Sequence, residues 1–256
     1  MLRIKDWIKF YTLIPLAGAL LAEGAPIQIV LILFIYLNLI SYAFVVNNYF
    51  DVEIDRLHSK KMEINKNPLA SGKVSKKGVL ALMFLQLVFA LICSLLLDVT
   101  GFYLVLLNIL LFTAYSASHI RLKERLGWDI ITHGLMFGML PFLAGFYLCQ
   151  GNLVDIILIS LIFFAIGCEA LIAHQLTEYS EDIKATTTTV TIIGQPKGLS
   201  LLGIFTASSL LVLYQVVIQH QIPLWMATVL ACCLMAYPAY SCRGMFFDIG
   251  YCTSIE

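Results

Sequence analysis

Residues 47–55 read Asn47-Asn48-Tyr49-Phe50-Asp51-Val52-Glu53-Ile54-Asp55. Asn47, Asp51 and Asp55 stand at i, i+4 and i+8, and on an α-helix that spacing stacks all three on one face, turn over turn. Two carboxylates and an amide presented together are hard oxygen donors of the kind Mg²⁺ takes. The stretch lies where a long apolar run, residues 26–50, gives way to a loop carrying Arg56, Lys60, Lys61 and Lys66. An acidic face at such a junction belongs at a membrane surface, turned inward, and the rest of the chain reads as what such a site requires.

Of the 256 residues 60% are hydrophobic and 12% charged, against roughly 25% charged in a soluble domain. Apolar segments of about 20 residues recur along the whole length, the signature of membrane spans. Eight are read, over residues 7–22, 26–50, 78–97, 100–118, 128–150, 153–175, 198–219 and 222–242. The expected fold is therefore all-α, a polytopic transmembrane helical bundle forming one integral membrane domain over residues 1–256. No cleavable leader is expected: Arg3, Lys5 and Lys9 precede an apolar run without a clear cleavage site, which reads as the first span. The seven cysteines are scattered without metal-type spacing and read as small buried hydrophobes. Formal net charge is zero, and no nucleic-acid partner is expected.

The distribution of charge says more than its sum. With eight spans, all sixteen Lys and Arg fall in the termini, at the entry of the first span (Lys9) or in loops after even-numbered spans, from Arg3, Lys5 and Lys9 through Arg121, Lys123 and Arg125 to Lys184, Lys197 and Arg243. The opposite side shows only Glu23, Asp98 and Asp155. The positive-inside rule then makes both termini and the basic loops cytoplasmic. A missed or extra span would scatter basic residues over both sides.

That topology puts Asn47–Asp55 at the cytoplasmic end of span 2. It puts a second polar cluster, His174, Gln175, Glu178, Glu181, Asp182 and Lys184, at the cytoplasmic end of span 6. Gln175, Glu178 and Asp182 are spaced i, i+3, i+7, again one helix face. Two acidic helix ends on one membrane side are expected to border a single cytoplasmic-side cavity. Ionisable residues there are expensive unless they line a wet cavity or act. The bland alternative is a pair of solvated helix-to-loop junctions. It is preferred for Glu53, Glu63 and Glu181, whereas the matching spacing favours function for Asp51, Asp55 and Asp182. Paired acidic helices holding Mg²⁺ bring an anionic diphosphate to a site that is itself negative. The metal neutralises leaving-group charge, and nearby Lys and Arg complete the clamp.

These residues resemble the UbiA superfamily of intramembrane prenyltransferases. Asn47-x-x-x-Asp51-x-x-x-Asp55 matches the family's first motif, N-x-x-x-D-x-x-x-D. Asn67-Pro68-Leu69-Ala70-Ser71-Gly72-Lys73-Val74-Ser75 resembles the R-P-L-x-S-G-x-I-S segment that follows it. Leu2-Arg3 with Trp7-Ile8-Lys9 is similar to the family's first-helix entry, and Tyr115-Ser116 with Arg121-Leu122-Lys123 to its loop after the fourth span. The likeness covers about residues 1–200. The second motif departs: where the family has D-x-x-D-x-x-x-D, this chain has Gln175, Glu178 and Asp182. Glu178 keeps the charge, whereas Gln175 keeps an oxygen but no charge, which weakens metal binding at that half. The family usually has nine spans where eight are read here.

The resemblance implies transfer of a polyprenyl group from an allylic diphosphate to an acceptor, an aromatic lipoquinone-type ring being preferred. Asn47, Asp51, Asp55, Glu178 and Asp182 would bind Mg²⁺, with Asp51, Asp55 and Asp182 central to catalysis. Lys9, Lys73, Arg121, Lys123 and Lys184 are candidates to hold diphosphate, Lys123 and Lys184 ahead of Lys73, and Gln175 would contribute beside them. Each basic residue has the plainer reading of a topology signal. Tyr115 stands either as a stabiliser of the prenyl cation, a phosphate contact, or an interfacial aromatic. Asn38 and Asn108 line the cavity or bond between helices. His119 and His133 are candidates to orient or deprotonate the acceptor, and His174 to orient the second motif. Three competing functions stand beside this one: a terpene cyclase of the same fold, a cation-coupled transporter, and an inactive relative.

Overall fold

The computed structural model describes residues 2, 11–57, 67–152, 156–183, 186–219 and 222–242. Regular structure among them is helical throughout. In chain order the helices are α1 (Leu13–Leu21), α2 (Pro26–Phe50), α3 (Val52–Leu57), α4 (Lys76–Leu97), α5 (Val99–Ser116), α6 (Trp128–Gly134), α7 (Leu140–Leu148), α8 (Ile156–Thr177), α9 (Tyr179–Asp182), α10 (Thr189–Ile193), α11 (Gln195–Ile218) and α12 (Leu224–Ser241). A 3₁₀ turn covers Leu122–Glu124, and Leu135–Met139 winds as a π-helix between α6 and α7. Local chemistry sets the ends. Pro26 opens α2 with Gln28 Oε1 accepting from Ala25 N at 2.9 Å. Ser75 and Asp98 cap α4 and α5 by accepting from Gly78 N (3.1 Å) and Gly101 N (2.8 Å).

Six helical runs among the described residues are long and apolar enough to cross a membrane: Pro26–Phe50, Lys76–Leu97, Val99–Ser116, Trp128–Leu148, Ile156–Thr177 and Gln195–Ile218. Each matches an expected span to within a few residues. The first expected span is described only as Leu13–Leu21, and the last appears as Leu224–Ser241, with Pro238 inside it. Large apolar side chains point outward, Leu96 on α4 and Leu211 on α11 being 80% and 67% exposed. Contiguous apolar surface of this kind is a liability in water and the expected surface in lipid.

The chain divides into two compact units. The first comprises Met1–Leu122 and Leu140–Leu153. Its core buries Ile32, Ile35, Tyr36 and Leu39 of α2 with Phe142 and Phe146 of α7. α1 and α7 pack at backbone distance, because a Cβ on Gly18 would meet Phe142 O at 2.1 Å and one on Gly145 would meet Pro15 O at 2.1 Å. Small residues permit that approach in membrane helices. Polar side chains bond between helices: Asn38 Nδ2 donates to Gln86 O at 2.7 Å, Gln86 Nε2 donates to Ser41 Oγ at 3.0 Å, and Tyr42 Oη meets Thr113 Oγ1 at 2.9 Å. Asn38 is thus an interhelical partner, and Asn108 lies fully buried on α5.

The second unit comprises Lys123–Met139 and Val154–Glu256. α8 is its axis, with α6 and the π segment, α11 and α12 packed around it. Gly134 and Gly138 are four residues apart and lie against α8, where a Cβ on Gly138 would meet Phe163 O at 2.1 Å. Ile130, Cys168, Ile172, Leu176, Val190 and Leu202 form a buried cluster at one end of α8.

Candidate active site

Within the first unit, Asn47 lies in the last turn of α2, Asp51 stands at its C-cap and Asp55 lies in α3. The i→i−4 ladder continues through the junction, Asp51 N donating to Asn47 O at 3.0 Å and Asp55 N to Asp51 O at 2.8 Å. The helical register expected from the spacing therefore holds, although Asp51 itself (φ −94°, ψ 8°) marks a local break. Asp51 and Asp55 are buried at 8% and 5% exposure, which a carboxylate tolerates only with donors or cations around it.

Those partners come from two loops. Arg121 Nη2 lies 3.6 Å from Asp51 Oδ1, with both side chains largely buried. Arg121 follows α5 in the left-handed region, φ 43°, where a non-glycine residue is uncommon and strained. Ser116 Oγ donates to Asn47 Oδ1 at 3.3 Å. Tyr115, beside it, is half-buried. The other loop starts at Asn67, whose Nδ2 donates to Asp55 Oδ2 at 2.9 Å and to Asn48 O at 2.7 Å. Asn67 Oδ1 accepts from Leu69 N (3.2 Å) and Ala70 N (3.4 Å). Leu69 is seated in a buried cluster with Val45 and Val79, and Arg56 Nε donates to Ala70 O at 3.3 Å. The segment resembling R-P-L-x-S-G thus folds as a turn over the first motif. Lys73 at its far side is exposed.

Within the second unit the same kind of junction recurs, and the i→i−4 ladder again continues through it, Glu178 N donating to His174 O at 3.0 Å and Asp182 N to Glu178 O at 2.9 Å. Gln175 belongs to α8, but the helix ends at Thr177 and Glu178 (φ −97°, ψ 7°) caps the separate short α9 that carries Asp182. Glu178 Oε2 lies 3.4 Å from His174 Nε2 on a solvent-facing side. Gln175, at 3% exposure, is turned to the interior. Its Nε2 donates to Asp129 Oδ2 at 2.8 Å and its Oε1 accepts from Val190 N at 3.1 Å. Sequence reasoning passed over Asp129, which is wholly buried. An acid in the first turn of a helix reads as a cap-region residue, and nothing nearby in sequence pairs with it. Glu169, buried inside α8 with Ser209 Oγ donating to its Oε1 at 3.3 Å, was passed over as well, its partner lying 40 residues away in sequence.

Lys123 is half-buried in the 3₁₀ turn. His119 is exposed. His133 is buried, its Nδ1 donating to Gly167 O at 2.8 Å and its ring 4.6 Å from that of Phe137. Lys9 and Lys184 lie outside the described residues.

No three His, Cys, Asp or Glu side chains converge into an all-protein metal cage among the described residues. Each unit instead offers two carboxylates from its acidic motif. That donor set fits Mg²⁺, which keeps waters and takes one or two carboxylates together with substrate phosphate oxygens. A buried guanidinium beside Asp51 adds the cation that a phosphate needs.

The model of the UbiA prenyltransferase family matches residues 12–244. No curated protein sequence matches the chain. Among solved structures, a UbiA homolog from Archaeoglobus fulgidus bound to DMAPP and Mg²⁺ is 21% identical, with a TM-score of 0.75 over 90% of this chain and 82% of that one. The apo structure of a UbiA homolog from Aeropyrum pernix K1 is 18% identical, with a TM-score of 0.76 over 95% and 91%. A structure described for digeranylgeranylglyceryl phosphate synthase in membranes is 19% identical, with a TM-score of 0.71 over 95% and 84%. At these identities the likeness establishes the fold.

Proposed function

Because the chain belongs to the UbiA prenyltransferase family, we propose that it moves a polyprenyl group from an allylic diphosphate to a small-molecule or lipid acceptor, with Mg²⁺ as cofactor, and releases diphosphate. The observation that carries this reading is the stack of Asn47, Asp51 and Asp55 held in helical register, with Arg121 beside Asp51 and Asn67 on Asp55. The A. fulgidus homolog bound to DMAPP and Mg²⁺ supports it.

Bound Mg²⁺ would bridge carboxylate and diphosphate oxygens and neutralise charge on the leaving group. Asn47, Asp51 and Asp55, with Glu178 and Asp182, are the residues to hold it. Arg121 and Lys123, joined by Lys9 and Lys184, hold the diphosphate. The bond from the prenyl C1 to the diphosphate oxygen breaks, and the electron pair leaves with diphosphate. The acceptor's nucleophilic atom bonds C1 and loses a proton. Tyr115 faces the developing positive charge, and apolar walls keep water from capturing it.

An aromatic ring of the lipoquinone type remains the preferred acceptor. The segregation of all sixteen basic residues supports eight spans with both termini and the acidic motifs on the cytoplasmic side. The family match, which runs through both compact units, supports their acting as one membrane domain. Mass analysis of lipid products tests the acceptor. Purified protein is given Mg²⁺, allylic diphosphates of increasing length, and aromatic acids or glycerol phosphates in separate reactions. A product with the mass of acceptor plus prenyl group minus one proton is expected with the aromatic ring. A hydrocarbon formed without any acceptor would replace this reading with the cyclase.

A further inference from the structure

Asp129 takes no part in the reaction as described, yet it is a wholly buried acid with both carboxylate oxygens bonded. It stands at the second position of α6 with no exposed surface. Four donors end on its two oxygens. Ile130 N (2.9 Å) and Thr189 Oγ1 reach Oδ1; Gln175 Nε2 (2.8 Å) and Thr189 N (2.8 Å) reach Oδ2. The second layer is also satisfied: Gln175 Oε1 accepts from Val190 N at 3.1 Å and Thr189 Oγ1 accepts from Gly127 N at 2.7 Å. Gly127 reaches this position at φ 77°, a conformation glycine adopts without penalty. α6, α8 and α10 are thereby tied at one carboxylate.

The two arms of the knot bracket a defined piece of chain. Gln175 precedes Glu178 and Asp182, and Thr189 follows them. Between the arms, α9 has four residues, none of them fully buried. Tyr179 packs against the cluster around α8. Bonds from Glu178 N to His174 O (3.0 Å) and from Asp182 N to Glu178 O (2.9 Å) make the placement of both acids follow from that of the α8 end. The exit is stiffened by Thr188 and Thr191, each side chain bonded to the other residue's backbone N–H. We propose that Asp129 is a positioning residue: by clasping Gln175 and Thr189 it holds the end of α8 against the start of α10 and so sets Glu178 and Asp182 for the metal–diphosphate. The inference rests on the reading that Glu178 and Asp182 serve that ligand.

The clasp also accounts for Gln175, the departure from the family's acidic pattern. A carboxylate at 175 would meet the carboxylate of Asp129 inside the protein, whereas an amide donates to Asp129 and accepts from Val190 N with one side chain. The Thr186–Thr189 run acquires a role as well, its last two members supplying the cap and one arm of the clasp.

The test is ligand-induced stabilisation of the full chain in detergent. Tm is followed while Mg²⁺ plus inorganic diphosphate is titrated into wild type, Asp129→Asn, Gln175→Glu and the double variant. Each single variant puts a mismatched pair at the clasp and is expected to raise half-saturation by roughly 10–100-fold, as loss of an outer-shell partner does. The double variant restores a donor–acceptor pair between 129 and 175 and is expected to bind more tightly than either single one. Thr189→Val removes only the hydroxyl arm and replaces any single variant too unstable to titrate, with the same direction of effect expected. Variants that lower Tm but bind Mg²⁺–diphosphate like wild type would reduce the knot to a structural bond and overturn the proposal, as would a double variant no better than the singles. A wild-type protein that does not respond to the ligand would overturn the diphosphate reading beneath it.

Discussion

Asn67 and Asp55 are joined by a 2.9 Å hydrogen bond from Nδ2 to Oδ2, while Oδ1 of the same amide caps the turn at Leu69 and Ala70. One side chain therefore orients an acid of the first motif with its donor end and folds the covering loop with its acceptor end. The two duties separate chemically. Asn67→Asp keeps the acceptor, so the turn persists, but sets a carboxylate against Asp55. Half-saturating Mg²⁺ in the transfer reaction is expected to rise by about 10–100-fold, with a small fall in Tm. Wild-type Mg²⁺ dependence in this variant would mean that Asn67 serves the turn alone.

Arg121 is asked to hold Asp51 and diphosphate at once. Arg121→Gln removes the charge, and Arg121→Lys keeps it but loses the planar fork. The expected order of kcat/KM is wild type, then Lys, then Gln, with Gln lower than wild type by at least about tenfold for a charge-assisted contact. Steady-state kinetics over the allylic diphosphate read the order. Equal activity of the Gln variant would leave the 3.6 Å pair a bystander.

Helix packing makes an independent prediction. Gly138→Ala forces a methyl group onto the Phe163 carbonyl, 2.1 Å from where its Cβ would stand. Overpacking of this kind costs roughly 1–3 kcal/mol or more. Gly203→Ala on α11 meets nothing within 4 Å and gains up to about 1 kcal/mol of helix propensity. Tm in detergent should fall for the first and hold or rise for the second.

What was legible in the sequence was what repeats locally. Apolar runs gave the long helices, and the i, i+4, i+8 spacing of Asn47, Asp51 and Asp55 gave their register, because a backbone ladder that runs through Asp51 carries that periodicity unchanged. The i, i+3, i+7 spacing of Gln175, Glu178 and Asp182 likewise follows a ladder that continues through Glu178, but the inward bonds of Gln175 leave no mark in that spacing. Those bonds come from Asp129 and Val190, which reach Gln175 from 46 and 15 residues away. Asp129 was invisible for the same reason: its partners Gln175 and Thr189 are distant in sequence, and an acid at a helix start has an ordinary local explanation. The Gly134–Gly138 spacing was present in the sequence as a close-packing signal, but only the structure names Phe163 as the backbone it meets.

The measurement that tests the central claim most directly is diphosphate release by the purified protein, with an allylic diphosphate and an aromatic acceptor supplied together, with and without Mg²⁺, in wild type and Asp51→Asn. Asparagine keeps the shape at position 51 and removes the charge. The account predicts release that requires Mg²⁺ and falls by at least about a hundredfold in the variant, a loss of the size expected when a group acting on the transition state is removed. Release that proceeds in Asp51→Asn as in wild type, or without Mg²⁺, would contradict it.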